Sequence, residues 1–444
     1  MGAIALVRMS GRDAERIAQG VFSKDLSKRK AHEAIHGWVL DGEEKVDDVV
    51  LTLYRAPRSF TGEDTVEIAC HGSVFIQKRI LELLLKHGAQ LAKPGEFTMR
   101  AYLNGRMDLS QAEAIGDLIA SESAAAHRQA LHQMRGGFSK EINDLRSRLI
   151  HFASMVELEL DFAEEDVEFA NRDQLKKLLL EIKGVVERLR DSFRLGNVLK
   201  NGVPVAIIGA PNAGKSTLLN ALLNEERAIV SDIAGTTRDT IEDHMTISGI
   251  RFNFIDTAGI RQTEDTIERI GIERAMHKVK SADIILLIFD VTTTEIDEYK
   301  KLYESIRKEA GSGTMMITLA NKTDLPGFDR IKFDKDFSGI ENLIRISAKR
   351  RDHIDELTSK LISTVDTGRV NSGETIVTNL RHHDALTKAS ISLNDILSGL
   401  DNGITGDFLA VDIRKTLYHL GEITGEINAD DLLNNIFSSF CIGK

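Results

Sequence analysis

The sequence predicts an open α/β nucleotide-binding domain in the middle of the chain, with an α/β segment before it and helical segments around it. Three observations carry this. Gly209-Ala210-Pro211-Asn212-Ala213-Gly214-Lys215-Ser216 lies between an apolar run, 203–208, and a helical stretch, 217–223, which is the strand-loop-helix setting of a phosphate loop. Asn321-Lys322-Thr323-Asp324 closes a second apolar run, 315–320, and so sits at the C-terminal end of a strand, where open α/β sheets bind ligands. Helix-period patterning dominates residues 110–199 and resumes after Ser347.

In the phosphate loop, backbone N–H groups and the positive end of the following helix surround a phosphate. Lys215 reaches the β/γ oxygens, and the Ser216 hydroxyl suits Mg²⁺. The tetrad at 321–324 selects guanine, because Asp324 accepts hydrogen bonds from N1–H and the exocyclic amine, which adenine does not supply together. Ser347-Ala348-Lys349 follows the alternating stretch 342–346 and fits a loop whose backbone N–H meets the guanine O6, although as a lone tripeptide it also reads as a plain loop. Between these stand Gly235-Thr236-Thr237-Arg238-Asp239 and Asp256-Thr257-Ala258-Gly259, the second closing an alternating strand at 251–255. They read as the two switch segments of a GTPase. Thr237 supplies a second hydroxyl to Mg²⁺, Asp256 holds a metal-bound water, and Gly259 donates to the γ-phosphate.

Ile260 stands where a Ras-type enzyme carries its water-positioning Gln. Hydrolysis must then use other groups. Asn212 can bind a monovalent cation beside the phosphates or simply shape the turn. Glu264, Asp265 and Glu268 can orient water or remain solvated.

The remaining segments extend the pattern. Residues 46–54 and 65–69 read as strands and 74–86 as a helix. With only 5 prolines in 444 residues there is no Pro-rich linker, so boundaries rest on motif edges. The longest strand-like apolar run, 284–289, is too short to span a membrane and reads as a strand of the central sheet. The 2 cysteines, Cys70 and Cys441, exclude a disulfide scaffold and fit a reducing cytosol, so a cytoplasmic location is expected. A formal net charge of −11 argues against tight RNA binding by this chain alone.

The chain resembles the MnmE (TrmE) family of tRNA-modification GTPases over nearly its whole length. Ser59-Phe60-Thr61-Gly62-Glu63-Asp64, Pro94-Gly95-Glu96-Phe97-Thr98-Met99-Arg100-Ala101, Leu109-Ser110-Gln111-Ala112-Glu113-Ala114-Ile115, the GTPase motifs and Cys441-Ile442-Gly443-Lys444 carry the match. The resemblance implies a small α/β (α+β) folate-binding dimerisation domain at 1–108. It further implies an all-α helical domain at 109–200 and 367–444, into which an α/β P-loop GTPase domain at 201–366 is inserted.

It also implies K⁺-activated hydrolysis stimulated when two GTPase domains meet. Asn212 would be a side-chain K⁺ ligand, and Ser231, Ile233 and Thr236 would complete the shell. Asp232, Ala234 and Gly235 of the same loop, together with Ala213, Gly214 and Thr217, would contact the nucleotide. Glu268 matches the residue that orients water through a bridge, and Arg261 occupies a switch position. Arg8, Glu67, Arg106 and Lys444 fall where the family contacts a tetrahydrofolate, the 5-formyl form or the 5,10-methylene donor. Lys is usual at the Arg106 position, a departure that alters contact geometry. Cys441 is expected near the folate and required for function. A homodimer, the FAD-bearing flavoprotein MnmG (GidA) and tRNA are the implied partners, without a membrane. The chain opens Met1-Gly2-Ala3-Ile4-Ala5-Leu6-Val7-Arg8 without the family sequence preceding that strand, so the family's first strand is expected to be absent.

The rival readings are a ribosome-assembly GTPase of the Era or Der kind and a non-catalytic GTP switch that scaffolds partners. The first needs a KH loop or a second GTPase domain, and the sequence has neither. The second conflicts with the complete set of metal and phosphate residues.

Overall fold

The structure, a computed structural model, describes residues 2–161, 172–226, 243–255, 279–311, 313–326, 328–365, 374–404, 406–426, 436–437 and 440. In chain order it begins with β1 (Ile4–Ser10), α1 (Ala14–Gln19), β2 (Ala34–Asp41), β3 (Glu44–Tyr54), β4 (Thr65–His71), α2 (Val74–Lys86), α3 (Glu96–Leu103), α4 (Leu109–Ala120), α5 (Ala124–Met134), α6 (Gly137–Asp161), α7 (Arg172–Asp191) and α8 (Phe193–Asn201). It continues with β5 (Val203–Ile208), α9 (Lys215–Glu226), β6 (Asp243–Ile247), β7 (Ile250–Phe254), β8 (Ile284–Asp290), α10 (Ile296–Glu309), β9 (Met315–Asn321), α11 (Arg330–Asp336), β10 (Leu343–Arg345), α12 (Ile354–Ser363), α13 (Leu380–Asp401) and α14 (Gly406–Thr424). These elements form two compact units, one of Met1–Ile119, Leu131–Lys183 and Lys388–Lys444, the other of Ala120–Ala130 and Gly184–Thr387.

The first unit contains an antiparallel sheet in the order β1-β4-β3-β2. Its strands alternate because only one face is buried. On β4, Val66, Ile68 and Cys70 point into a core completed by Ile80, Leu83 and Leu84 of α2, while Glu67 and Ala69 face the other way. The register sets Arg8 directly opposite Glu67. His71 bonds to the buried Asp47 through Nδ1 at 2.7 Å. The rest of this unit is helical, with α14 packed along α6. The hydroxyl of Tyr102 donates to the carbonyl of Gly425 at 2.7 Å across a sequence separation of 323.

The second unit holds a sheet in the order β10-β9-β8-β5-β7-β6, parallel except for the β6–β7 hairpin at one edge. Apolar clusters cover both of its faces, which is why β5, β8 and β9 are continuous hydrophobic runs and not alternating ones. Every residue of β8 is buried. Residues 120–130 belong to this unit: Glu122 pairs with Arg251 of β7, and Gln129 donates to the carbonyl of Ile376 at 2.6 Å. β5, β8 and β9 fall where the apolar runs predict them and β7 where the alternating stretch does, with ends shifted by no more than one residue, and α2 has its expected bounds.

Candidate functional site

The loop after β5 bends under two steric constraints. A Cβ on Gly209 would lie 2.0 Å from the carbonyl oxygen of Ile288, and one on Gly214 would lie 2.2 Å from Nδ2 of Asn321. Gly214 also has φ +102°, so the position admits only glycine without rearrangement. Asn212 is left-handed at φ +60°, a conformation that Asn tolerates better than most residues, and it is exposed. α9 begins at Lys215, and its first turn presents Ser216 and Thr217 to solvent. The Lys215 ammonium donates to the carbonyls of Gly209 and Ala210, both at 2.8 Å.

The base motif is tied to this loop by Asn321. Its Nδ2 donates to the carbonyl of Ala213 at 2.8 Å, and its Oδ1 accepts from the backbone N–H of Ala348 at 3.0 Å. One buried amide thus joins the phosphate loop, the end of β9 and the loop after β10. The parallel pairing of β8, β5 and β9 brings these three segments to the same end of the sheet. Asp324 accepts from the Ser347 hydroxyl at 2.7 Å, with Arg350 Nε at 3.5 Å. The Ser347 bond, helped by Arg350 and Lys349, holds the Asp324 carboxyl below its usual range and keeps it an acceptor at neutral pH. Thr323 Oγ1 donates to the carbonyl of Ile346 at 3.0 Å, and the Lys322 ammonium to Asp290 at 2.7 Å. Lys349 is exposed. The structure therefore brings together Asn212, Ala213, Gly214, Lys215, Ser216, Thr217, Asn321, Lys322, Asp324, Ser347, Ala348 and Lys349. Ser231, Asp232, Ile233, Ala234, Gly235, Thr236, Thr237, Asp256, Thr257, Ala258, Gly259, Arg261 and Glu268 lie outside the described residues.

A second candidate site lies in the first unit, on the face of the sheet opposite its core. Arg8 Nε donates to Glu67 Oε1 at 2.7 Å, and its guanidinium stands 5.8 Å from the ring centroids of both Phe60 and Phe97. Those aromatic residues come from the two N-terminal family motifs. The motifs are fastened together by Arg100, which donates to Glu63 at 3.2 Å and to Glu96 at 2.7 Å. The stem of Arg106 lies against Gly62, where an added Cβ would meet it at 3.3 Å. Sequence reasoning missed Tyr54, whose hydroxyl donates to Glu67 Oε2 at 3.1 Å. Burial and the neighbouring Glu67 push the Tyr54 phenol above its ordinary range, so it remains a donor. A carboxylate has about four acceptor positions, so Arg8 and Tyr54 leave Glu67 capacity for further N–H donors. Lys444 and Cys441 lie outside the described residues. Among those described, no helix is long and apolar enough to cross a membrane.

Comparison with known proteins identifies a family over nearly the whole chain. Residues 1–106 match the family described as GTP-binding protein TrmE N-terminus, and residues 109–441 match the MnmE helical domain. The tRNA modification GTPase MnmE of Christiangramia forsetii is 52% identical over 459 aligned residues, covering 100% of this chain and 97% of that protein. Its counterpart in Cytophaga hutchinsonii is 52% identical over 445 residues, covering 100% of this chain and 95% of that protein. The one from Bacteroides fragilis strain YCH46 is 51% identical over 453 residues, covering 100% and 97%. With matches that reach from the N-terminal sheet through the helices, the chain belongs to the MnmE (TrmE) family of tRNA modification GTPases.

Proposed function

We propose that this chain is a GTPase acting in tRNA modification, and that it hydrolyses GTP to help install an aminomethyl-type group at carbon 5 of the wobble uridine. The observation that carries the nucleotide half is the Asn321 amide, which fixes the phosphate loop and the two base-side loops in one arrangement. Phosphate recognition and guanine selection then share a rigid frame.

Mg²⁺ fits the exposed Ser216 hydroxyl at the start of α9, with Thr237 as the second hydroxyl, and would neutralise charge on the β/γ oxygens. K⁺ fits Asn212, whose left-handed backbone leaves its carboxamide exposed beside the phosphate loop. Ser231, Ile233 and Thr236 would complete that shell, Arg261 would act in the switch, and Glu268 would orient water. A tetrahydrofolate fits the N-terminal site: Glu67 suits pterin N–H groups, Arg8, Arg106 and Lys444 suit the glutamate tail, and the Phe60 edge offers apolar contact. The folate would supply the bridging carbon. Cys441 belongs to the same chemistry. The working assembly is a homodimer that meets the flavoprotein MnmG, and the flavoprotein provides much of the tRNA contact missing from a chain of net charge −11.

The test is mass spectrometry of nucleosides from bulk tRNA of cells lacking the chain, complemented by the intact protein or by Cys441→Ser. The expected result is loss of the carbon-5 aminomethyl uridines, restored by the intact protein and not by the variant. Unchanged tRNA with accumulating ribosomal precursors would replace this reading with a ribosome-assembly GTPase.

A further inference from the structure

β8 is apolar until its last position, where the strand ends in Asp290 at 9% relative exposure. Burying a carboxylate is costly unless it is paired, so its partners define its task. Oδ1 accepts from the backbone N–H and the hydroxyl of Thr292, at 2.9 and 2.6 Å, which fixes the carboxylate to its own strand end. Oδ2 is left for the Lys322 ammonium at 2.7 Å. Burial opposes ionisation, but the bonds from Lys322 and Thr292 outweigh it and hold the carboxyl below its usual range. The register sets Asp290 beside Asn321, and the N–H of Val291 donates to the Asn321 carbonyl at 3.1 Å.

Lys322 itself is left-handed at φ +69°, a conformation that disfavours a residue with a Cβ. Its cation lies two residues from Asp324, the carboxylate assigned to the guanine edge. An unanchored lysine there would be drawn to that carboxylate and would neutralise the group that selects the base.

We propose that Asp290 is a positioning residue for guanine-nucleotide binding: it acts through Lys322, holding the ammonium at the end of β8 so that Asp324 is kept for the base. The inference rests on the guanine-nucleotide reading above. It concerns a residue outside the GTPase motifs.

The experiment is stopped-flow release of mant-GDP from the full chain in wild type, Asp290→Asn, Lys322→Met and the double variant. Asp290→Asn keeps an acceptor for Thr292 and loses the charge that holds the lysine. It is expected to speed release about ten-fold, and in the Lys322→Met background, where no cation is left to stray, it should change release by less than about three-fold. A merely structural Asp290 would cause the same loss in both backgrounds, and that outcome, or wild-type release by Asp290→Asn, overturns the proposal. If Asp290→Asn does not fold, Thr292→Val loosens the same carboxylate. It should speed release less, again only when Lys322 is present, and an equal effect in both backgrounds overturns the proposal. Failure of the unaltered chain to bind mant-GDP would remove the nucleotide reading itself and this inference with it.

Discussion

Asp324 shows how much one side chain decides. The Ser347 hydroxyl occupies Oδ1 and Arg350 approaches Oδ2, so the carboxylate is oriented and ionised before any base arrives. Asp324→Asn replaces an acceptor with a donor towards guanine N1–H and the exocyclic amine. GTP affinity is expected to fall on the order of 100-fold or more, while xanthosine triphosphate, which offers a carbonyl there, should bind better than to wild type. Titration calorimetry with both nucleotides checks this, and unchanged GTP affinity would remove Asp324 from the base site. Tyr54 and Asp290 are the residues that sequence reading did not find. Neither belongs to a motif, and each matters through strand register: Tyr54 shares a sheet face with Glu67, and Asp290 lies opposite Asn321. A hydrogen bond across strands leaves no trace in the local pattern of either strand.

Elements were more legible than contacts. In the nucleotide unit β5, β8 and β9 are mutually parallel and covered on both faces, so they announce themselves as unbroken apolar runs, as β8 does. The strand β2 went unread, because Gly37 sits at an inward position and Trp38 at an outward one, which blurs the apolar/polar alternation in its sequence. α10 illustrates what packing adds to such a sheet. Tyr299 on that helix shares its hydroxyl hydrogen with Thr318 of β9 at 2.8 Å, and burial pushes its phenol up to about 12 from an ordinary 10.0. The sign follows from linkage. Above pH 10 the unfolded chain loses this proton first, so the stabilisation is complete below that value and is lost as pH rises towards about 12. Denaturant unfolding of wild type should show this alkaline decline. Tyr299→Phe should be about 1 kcal/mol less stable at neutral pH, through its lost hydrogen bond, but should decline less steeply above pH 10. Parallel alkaline limbs in the two proteins would contradict the assignment.

For the whole molecule, the cation dependence of hydrolysis is the most direct test of the proposed assembly. With Ile260 where a Gln would stand, the proposed K⁺ at Asn212 and a second copy facing the site would supply the missing charge and order. GTP turnover should be at least about ten-fold faster in KCl than in NaCl, equivalent to about 1.4 kcal/mol in the barrier, and should rise with protein concentration. Equal rates in both salts would sink the K⁺ reading. Chain order has a different outcome from chemistry. The nucleotide unit is complete at Thr387, whereas the first unit still needs Lys388 onward, including the α14 that packs on α6 and the Gly425 carbonyl that receives Tyr102. During synthesis the inner unit therefore has all its residues while the outer one waits for its closing helices, with its N-terminal part already made. Loss of the last helices would therefore take residues from the first unit while leaving the nucleotide unit its full set.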